Sequence, residues 1–305
     1  MEQEKSKKEF YGKKHTSSGE LRRGAGKDRK FEKHPPRAPK KEAPIQQKDA
    51  ASSESIHGEY ENGAIIGRNA VRELLRTERD VDKLLVQRGE RTGSIVALVA
   101  QAIERGIPVI ETEKPKLDAL AGYAPHQGVI AFAAEKEYCS VEDILAIAQE
   151  RGEAPLIVIC DGVTDPYNLG AIIRCAECCG AHGLIIPKRR AVGLTPLVSK
   201  ASAGAIEHLA IAKVANIAST VEQLKKAGVW TYAAEAGGQD LYQTDFRGPC
   251  AIVLGSEGDG VSQLVKKTCD GIVSIQMYGK VNSFNVSTAA AIFLAHVAHQ
   301  HHNPK

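Results

Sequence analysis

Short apolar runs alternate with stretches of helical periodicity from Pro155 to the end of the chain. The runs are rich in Val and Ile, which is typical of strands that are buried on both faces. Strands of this kind belong to parallel sheets covered by helices. The pattern therefore predicts an α/β domain with a parallel sheet over residues 154–302. Its predicted strands are PLIVIC, HGLIIP, EHLAIA, VWTYAAE, CAIVLG and GIVSIQ.

A smaller α/β pattern precedes this domain. AIIGRNAVRELLR is predicted as an amphipathic helix with Val71, Leu74 and Leu75 on one face. The following elements are predicted as the strand VDKLLVQ, the helix GSIVALVAQAIERG, the strand IPVIE, a helix at 116–120 and the strand HQGVIAFAAE. We therefore expect a small α/β domain at 61–135 and a partly helical linker at 136–153.

Residues 1–60 differ from the rest of the chain in composition and charge. The first 50 residues hold 15 Lys or Arg against 8 Asp or Glu, whereas the remainder holds 25 against 29. A segment rich in Gly, Pro and Lys buries too little apolar surface to fold, so it is predicted to be disordered. A basic disordered arm suits electrostatic attraction to nucleic acid. A solubilising leader would explain the same charge.

The composition limits the class of protein. With 43% hydrophobic and 25% charged residues, the chain is expected to be soluble and globular, and no apolar run reaches the roughly 18 residues of a membrane helix. Seven cysteines, an odd number, lie in apolar segments without a signal peptide, which predicts a reducing, cytoplasmic location. Cys175 and Cys178 lack a second pair at zinc-finger spacing, so buried thiols are favoured and no metal is expected.

Three polar, glycine-containing stretches follow predicted strands, and the first is DGVTDPYNLGAIIRCAECCGAHG. Asn168 suits a helix N-cap. Arg174 lies outside the apolar face of the predicted helix. It is either a surface charge paired with Glu177 or a group that grips phosphate or carboxylate.

The second stretch is IVLGSEGDGVS, in which glycines surround Glu257 at a strand end. It is either a plain turn or a loop that exposes backbone amides to a ligand. Its glycine spacing matches neither the dinucleotide-binding fingerprint nor the P-loop.

The third stretch, NSFNVSTAAAIFLAHV, places five polar side chains before an Ala-rich helix, although capping needs only one. Ligands of open α/β sheets collect at the carboxyl ends of strands, so these three stretches predict one cleft. The cleft has no paired carboxylates, Ser-His-Asp set or metal cluster. We therefore expect it to position a reactive cofactor.

The three stretches, in this order and at these separations, resemble the motifs of the SpoU (TrmH-type) RNA ribose 2′-O-methyltransferases. The intervening IPKRRAVGLTPLVSKASAGAIEHLAIAKVANIA resembles the subgroup that methylates a guanosine of large-subunit ribosomal RNA. Residues 63–135 are similar to that subgroup's N-terminal domain, which resembles RNA-binding ribosomal proteins. The resemblance implies a methyltransferase that uses S-adenosylmethionine, a C-terminal trefoil knot and a homodimer with a site shared across its interface.

The resemblance also assigns roles to individual residues. The positions that match cofactor contacts are Gly255, Ile275 and Phe284. Phe284 replaces the usual Leu, and a backbone contact should survive that change. The positions that match the polar active-site set are Asn168, Arg174, Glu257, Ser283 and Asn285. Two alternatives stay open: a transfer-RNA substrate, or a non-catalytic RNA-binding factor of ribosome assembly, although no motif position is missing.

Overall fold

The computed structural model describes residues 63–89 and 93–303. The predicted disordered tail lies outside the described residues. Two sheets form the described part of the chain, the first within residues 64–133 and the second within residues 156–274. Of the helices that the structure describes, none is long and apolar enough to cross a lipid bilayer.

The first sheet has four strands in the order β1-β4-β2-β3, with β2 antiparallel to β4 and parallel to β3. Val71, Leu74 and Leu75 are buried, which confirms the predicted apolar face of α1. The elements are β1 (Ala64–Ile66), α1 (Arg68–Arg76), β2 (Val81–Gln87), α2 (Ser94–Glu104), β3 (Val109–Thr112), α3 (Lys114–Leu120) and β4 (Val129–Ala133).

The helical prediction was wrong for residues 64–66. These residues form β1, which pairs antiparallel with β4, and the helix begins only at Arg68. Gly67 separates the two elements with φ 97°, a conformation that favours glycine. Each residue of β1 is buried, so pairing with β4 outweighs the helical period of the residues that follow.

The predicted linker contains the helix α4 (Val141–Arg151). Ser140 and Asp143 form a reciprocal capping box at its start, and Gly152 ends it in the left-handed conformation. Val141 and Ile144 are buried in one core layer of the second sheet. The helix therefore packs with the second sheet.

The second sheet has six strands in the order β10-β8-β9-β5-β6-β7, and every neighbouring pair is parallel. The predicted parallel sheet is thereby confirmed, whereas the trefoil knot stays a prediction. The strands are β5 (Leu156–Asp161), β6 (Gly183–Pro187), β7 (Ala210–Val214), β8 (Trp230–Asp240), β9 (Cys250–Gly255) and β10 (Gly271–Ser274). The helices are α5 (Pro166–Cys178), α6 (Pro196–Ala201), α7 (Ile217–Lys226), α8 (Gln263–Thr268) and α9 (Val286–His302).

The strand order brings the three polar stretches together at the carboxyl ends of the strands of the second sheet. β5 lies beside β9 in a register that aligns Asp161 with Gly255, so the loops after these strands leave the sheet together. The segment after β10 leads into α9, which packs against α5. Two apolar clusters, one on each face, hold the sheet between its helices.

Candidate active site

Asn168 lies in the first turn of α5. The helix begins at Pro166 with Asp165 as its N-cap, so the prediction that Asn168 is the cap was wrong. The Asp165 carboxylate accepts hydrogen bonds from the backbone N–H groups of Tyr167 and Asn168, each at 3.2 Å. Since Asp165 caps the helix, the amide side chain of Asn168 is left for contacts outside α5.

A chain of side-chain hydrogen bonds joins the three polar stretches. The Asn168 Nδ2 group donates to Oε1 of Glu257, in the loop after β9. The Asn285 Nδ2 group donates to Oδ1 of Asn168 at 3.0 Å. Asn285 is the N-cap of α9, and its Oδ1 accepts from Ser287 N at 2.9 Å and Thr288 N at 3.3 Å. We call Asn168, Glu257 and Asn285 the polar triad.

The two other predicted polar residues stand apart from the polar triad. Arg174 is exposed and forms no hydrogen bond or ion pair with any described residue, so the suggested pair with Glu177 is not formed. It lies six residues after Asn168, which is roughly 9 Å along a helix axis. Ser283 lines the cavity described next but forms no hydrogen bond to a side chain or backbone group that the structure describes.

A cavity of about 590 Å³ lies beside the polar triad, and Gly255, Ile275 and Phe284 all line it. The loop 256–260 folds back on itself through reciprocal backbone hydrogen bonds of 3.1 Å between Ser256 and Gly260. A Cβ atom at Gly255 would overlap the backbone of Gly260. This tight return requires glycine and keeps the loop backbone beside the cavity.

Backbone polar groups around the cavity remain available to a ligand. In the part of the chain that the structure describes, no backbone N–H group of residues 276–284 donates a hydrogen bond to another protein group. The same holds for the N–H groups of Glu257 and Gly258. Phe284 is 44% exposed, Phe293 is buried, and both line the cavity, which therefore combines polar backbone with aromatic surface.

Two carboxylates that the sequence analysis missed anchor the loop after β9. Oε2 of Glu235 accepts a hydrogen bond from Val261 N at 3.1 Å and pairs with the Lys266 ammonium at 3.1 Å. Oδ2 of Asp161 accepts from Ser262 N at 2.8 Å. Each lies near the carboxyl end of a predicted strand, VWTYAAE or PLIVIC. This position is a signal that could have identified both.

The cysteines show no features of activated nucleophiles. Burial raises the pKa of the Cys160 thiol, in β5, to about 12. Burial also raises the pKa of Cys175 and of Cys178. Cys178 is nevertheless exposed at the protein surface, so the expectation that both thiols of this pair are buried was wrong. A thiol with a raised pKa stays protonated near neutral pH and attacks poorly.

No group of three or more His, Cys, Asp or Glu side chains within residues 63–89 and 93–303 is placed to hold a metal ion.

Comparison with known proteins identifies matches over both parts of the chain. The model of the SpoU rRNA Methylase family matches residues 155–295, and the model described as RNA 2′-O ribose methyltransferase substrate binding matches residues 64–139. The chain is 42% identical over 234 residues to the putative TrmH family tRNA/rRNA methyltransferase YacO of Bacillus subtilis, covering 76% of this chain and 94% of that protein.

A second relative and a solved structure agree with these matches. A putative TrmH family tRNA/rRNA methyltransferase of Staphylococcus aureus is 42% identical over 248 residues, which cover 80% of this chain and 98% of that protein. The crystal structure of the SpoU methyltransferase AviRb from Streptomyces viridochromogenes, in complex with AdoMet, superimposes with a TM-score of 0.65. That match has 26% identity and covers 78% of this chain and 89% of AviRb.

Proposed function

Because the chain belongs to the SpoU (TrmH-type) family of RNA methyltransferases, we propose that it methylates the ribose 2′-hydroxyl of a guanosine in large-subunit ribosomal RNA. S-adenosylmethionine is the proposed methyl donor, as AviRb binds the same compound. The observation that carries the proposal is the polar triad, which brings one residue from each of the three motifs to the edge of a ligand-sized cavity.

The residues around the cavity suit S-adenosylmethionine. A volume of about 590 Å³ lies within the range of roughly 300–1,000 Å³ that is usual for cofactor sites. The unpaired backbone N–H groups of 276–284 and of Gly258 are suited to the polar groups of a nucleoside and an amino acid. The backbone at Gly255, Ile275 and Phe284 would hold the cofactor. The Phe284 ring is partly exposed, so the cofactor has room to lie beside it. When bound, S-adenosylmethionine supplies an electrophilic methyl group.

The polar triad would orient the ribose. Methyl transfer to a hydroxyl depends on in-line placement, and correct orientation supplies several kcal/mol of the barrier reduction. The Asn168 amide is held at both ends, by Glu257 and by Asn285, so its position is defined before RNA binds. The 2′-hydroxyl must also lose its proton. Glu257, a neighbouring phosphate or water is the proposed acceptor.

Arg174 has a different proposed role. A guanidinium stays protonated in proteins, so Arg174 cannot act as a base. Its exposed side chain, free of ion pairs to described residues, suits a phosphate next to the reacting ribose and the alkoxide charge that develops there. If Arg174→Lys kept nearly full turnover, while Glu257→Gln lost all turnover without weaker cofactor binding, charge stabilisation by the Arg174 guanidinium would be contradicted.

We further propose that the protein is a homodimer. Arg174 forms no hydrogen bond or ion pair with the polar triad of its own chain, which supports a site that is completed across a subunit interface. Sedimentation-equilibrium centrifugation tests the dimer. Mixing Arg174→Ala with Glu257→Gln protein tests the shared site, because complementation restores activity only if the two residues act across the interface.

We propose ribosomal RNA, and not transfer RNA, as the substrate. The match of residues 64–139 to a substrate-binding model supports a dedicated RNA-binding domain, proposed for 61–135 and followed by a linker at 136–153. The domain at 154–302 then carries the chemistry. The KRRAVGLTP stretch after β6 supports the ribosomal subgroup.

The test is transfer of labelled methyl from S-adenosylmethionine to unmodified large-subunit ribosomal RNA, with transfer RNA in parallel and Arg174→Ala as control. Labelled ribosomal RNA with one phosphodiester that resists alkali would establish 2′-O-methylation and locate the nucleotide. Label in transfer RNA alone would show that the substrate is transfer RNA and not ribosomal RNA. Cofactor binding without label in either RNA would point to a non-catalytic assembly factor.

A further inference from the structure

A second cleft, of about 370 Å³, lies on the first sheet's domain, away from the polar triad. It is lined by Arg68, Arg88, Lys114 and the 123–128 loop. We propose that this cleft, the Tyr123 cleft, binds an unpaired nucleotide of the RNA, with its base stacked on Tyr123 and its phosphates beside Arg88 and Lys114. The inference rests on the proposed function for the identity of its ligand as RNA.

The Tyr123 ring is presented to solvent at a conformational cost. Its side chain is 83% exposed, and its backbone adopts φ 60°, in the left-handed region. A bulky aromatic residue is rarely found there, because its Cβ approaches the following carbonyl group. Among described residues no ring contact to Tyr123 offsets this cost. Strained residues that gain nothing from burial are concentrated at ligand sites.

Hydrogen bonds hold the loop behind Tyr123 in place. Tyr123 N donates to the Asp118 carbonyl at 2.8 Å, and the Asp118 carboxylate lies 3.0 Å from Nε2 of His126. The His126 ring is buried, and its Nδ1 accepts from Gly128 N at 3.0 Å. Arg68 Nε donates to the carbonyl of Gln127 at 2.9 Å. The exposed ring therefore sits on a rigid support, which reduces the entropy lost on binding.

Cations lie around the ring in a form that phosphate can use. Arg88 pairs with Glu113 at 2.6 Å, and Lys114 pairs with Asp118 at 2.9 Å. The side chains of Arg88, Glu113 and Lys114 are each more than 60% exposed, so these pairs contribute little to stability. A phosphate can therefore replace a carboxylate as partner of Arg88 or Lys114 at small cost.

An aromatic face next to Arg and Lys is the combination that proteins use for unpaired nucleotides. Bases stack on aromatic rings whatever their sequence, while the cations follow the backbone. A duplex keeps its bases stacked inside the helix and offers no free face to Tyr123. The cleft is therefore expected to distinguish single-stranded from double-stranded RNA.

The experiment compares full-length variants for binding to a labelled single-stranded RNA of about 12 nucleotides. Tyr123→Asn removes the ring and suits the left-handed backbone, since Asn tolerates that conformation. Tyr123→Phe keeps the ring, and Trp230→Ala removes an exposed aromatic residue at the amino end of β8, at the opposite edge of the second sheet from the polar triad. A duplex of the same length and thermal melting are measured in parallel.

We expect Tyr123→Asn to lose about 5- to 150-fold in affinity for single-stranded RNA. This range corresponds to the stacking energy of one base on one aromatic ring. Tyr123→Phe and Trp230→Ala should bind as the wild type does, and duplex affinity should be equal in all variants. Tyr123→Asn should also melt at the same or a higher temperature, because strain is relieved. A purely structural role would instead lower the melting temperature and the affinity together.

Three results would overturn the inference. They are equal single-strand affinity of Tyr123→Asn and the wild type, an equal loss on duplex RNA, or a melting temperature that falls together with the affinity. These outcomes are independent of methyl transfer. If ribosomal RNA is methylated and Tyr123→Asn binds normally, only the inference fails. If no RNA is methylated and Tyr123→Asn loses affinity, only the proposed function fails.

Discussion

The Arg79–Glu207 ion pair offers a direct test of how the first sheet's domain is held to the second. The Arg79 guanidinium Nη1 lies 2.8 Å from Oε1 and 2.9 Å from Oε2 of Glu207. Its Nε donates to the Ala134 carbonyl at 2.8 Å. The two side chains are only 16% and 2% exposed, so the charges are largely removed from water.

Removing one partner of a buried pair leaves the other charge without compensation, which typically costs about 3–5 kcal/mol. In Arg79→Met the Glu207 carboxylate would stay buried near the cation of Lys136, whose Nζ lies 3.4 Å from the Glu207 carbonyl oxygen. We expect a loss near the lower end, about 3 kcal/mol. Replacing both partners, in Arg79→Met with Glu207→Leu, should restore most of it, because neither member of the ion pair is then left as an uncompensated buried charge.

The assay is urea denaturation of the full chain together with amide hydrogen exchange of residues 64–79 and 194–208. Arg88→Met is the matched control, because its pair with Glu113 is shorter, at 2.6 Å, but both side chains are more than 60% exposed. That variant should lose about 0–1 kcal/mol. Equal losses in Arg79→Met and Arg88→Met, or a double variant less stable than Arg79→Met, would refute the argument that burial decides the energy.

Three further predictions concern cofactor binding, pH and RNA affinity. Glu235→Ala removes the acceptor for Val261 N and should weaken S-adenosylmethionine binding about tenfold, or about 1.4 kcal/mol, as measured by calorimetry. The control variant Lys266→Met should bind S-adenosylmethionine with little change. Unchanged affinity in Glu235→Ala would exclude an anchoring role for Glu235. Burial lowers the pKa of His182, so the unfolded chain takes up the proton first and stability should fall as pH drops below about 6.5. Melting curves of His182→Gln should show a smaller fall, and an identical pH profile would contradict this. Deletion of residues 1–60 should weaken RNA binding and flatten its salt dependence while turnover of bound RNA stays the same; equal salt slopes would show that the tail does not contact RNA.

Much of the fold was predictable where local pattern and tertiary burial agree. The strands β2 and β9 were predicted to the residue. β9 is an apolar run that ends at a glycine, and β2 contains the buried apolar run 84–86, which ends at Gln87. The predictions failed where the pattern suits two structures. Residues 64–66 continue a helical period but pair with β4, and Asn168 resembles a cap although Asp165 and Pro166 precede it. Pro at the first helical position was the overlooked signal.

The sequence by itself determined the parallel sheet of the second domain, the three motifs and the family, because apolar periodicity and motif spacing are written along the chain. Only the tertiary structure decided which residues meet. Asn168 contacts Glu257 and Asn285 across 89 and 117 residues, and Arg79 contacts Glu207 across 128. The contacts of Asn168 depend on the order β10-β8-β9-β5-β6-β7, which brings distant strand ends together. Periodicity specifies which face of a strand is buried, but it does not specify which strand lies beside it.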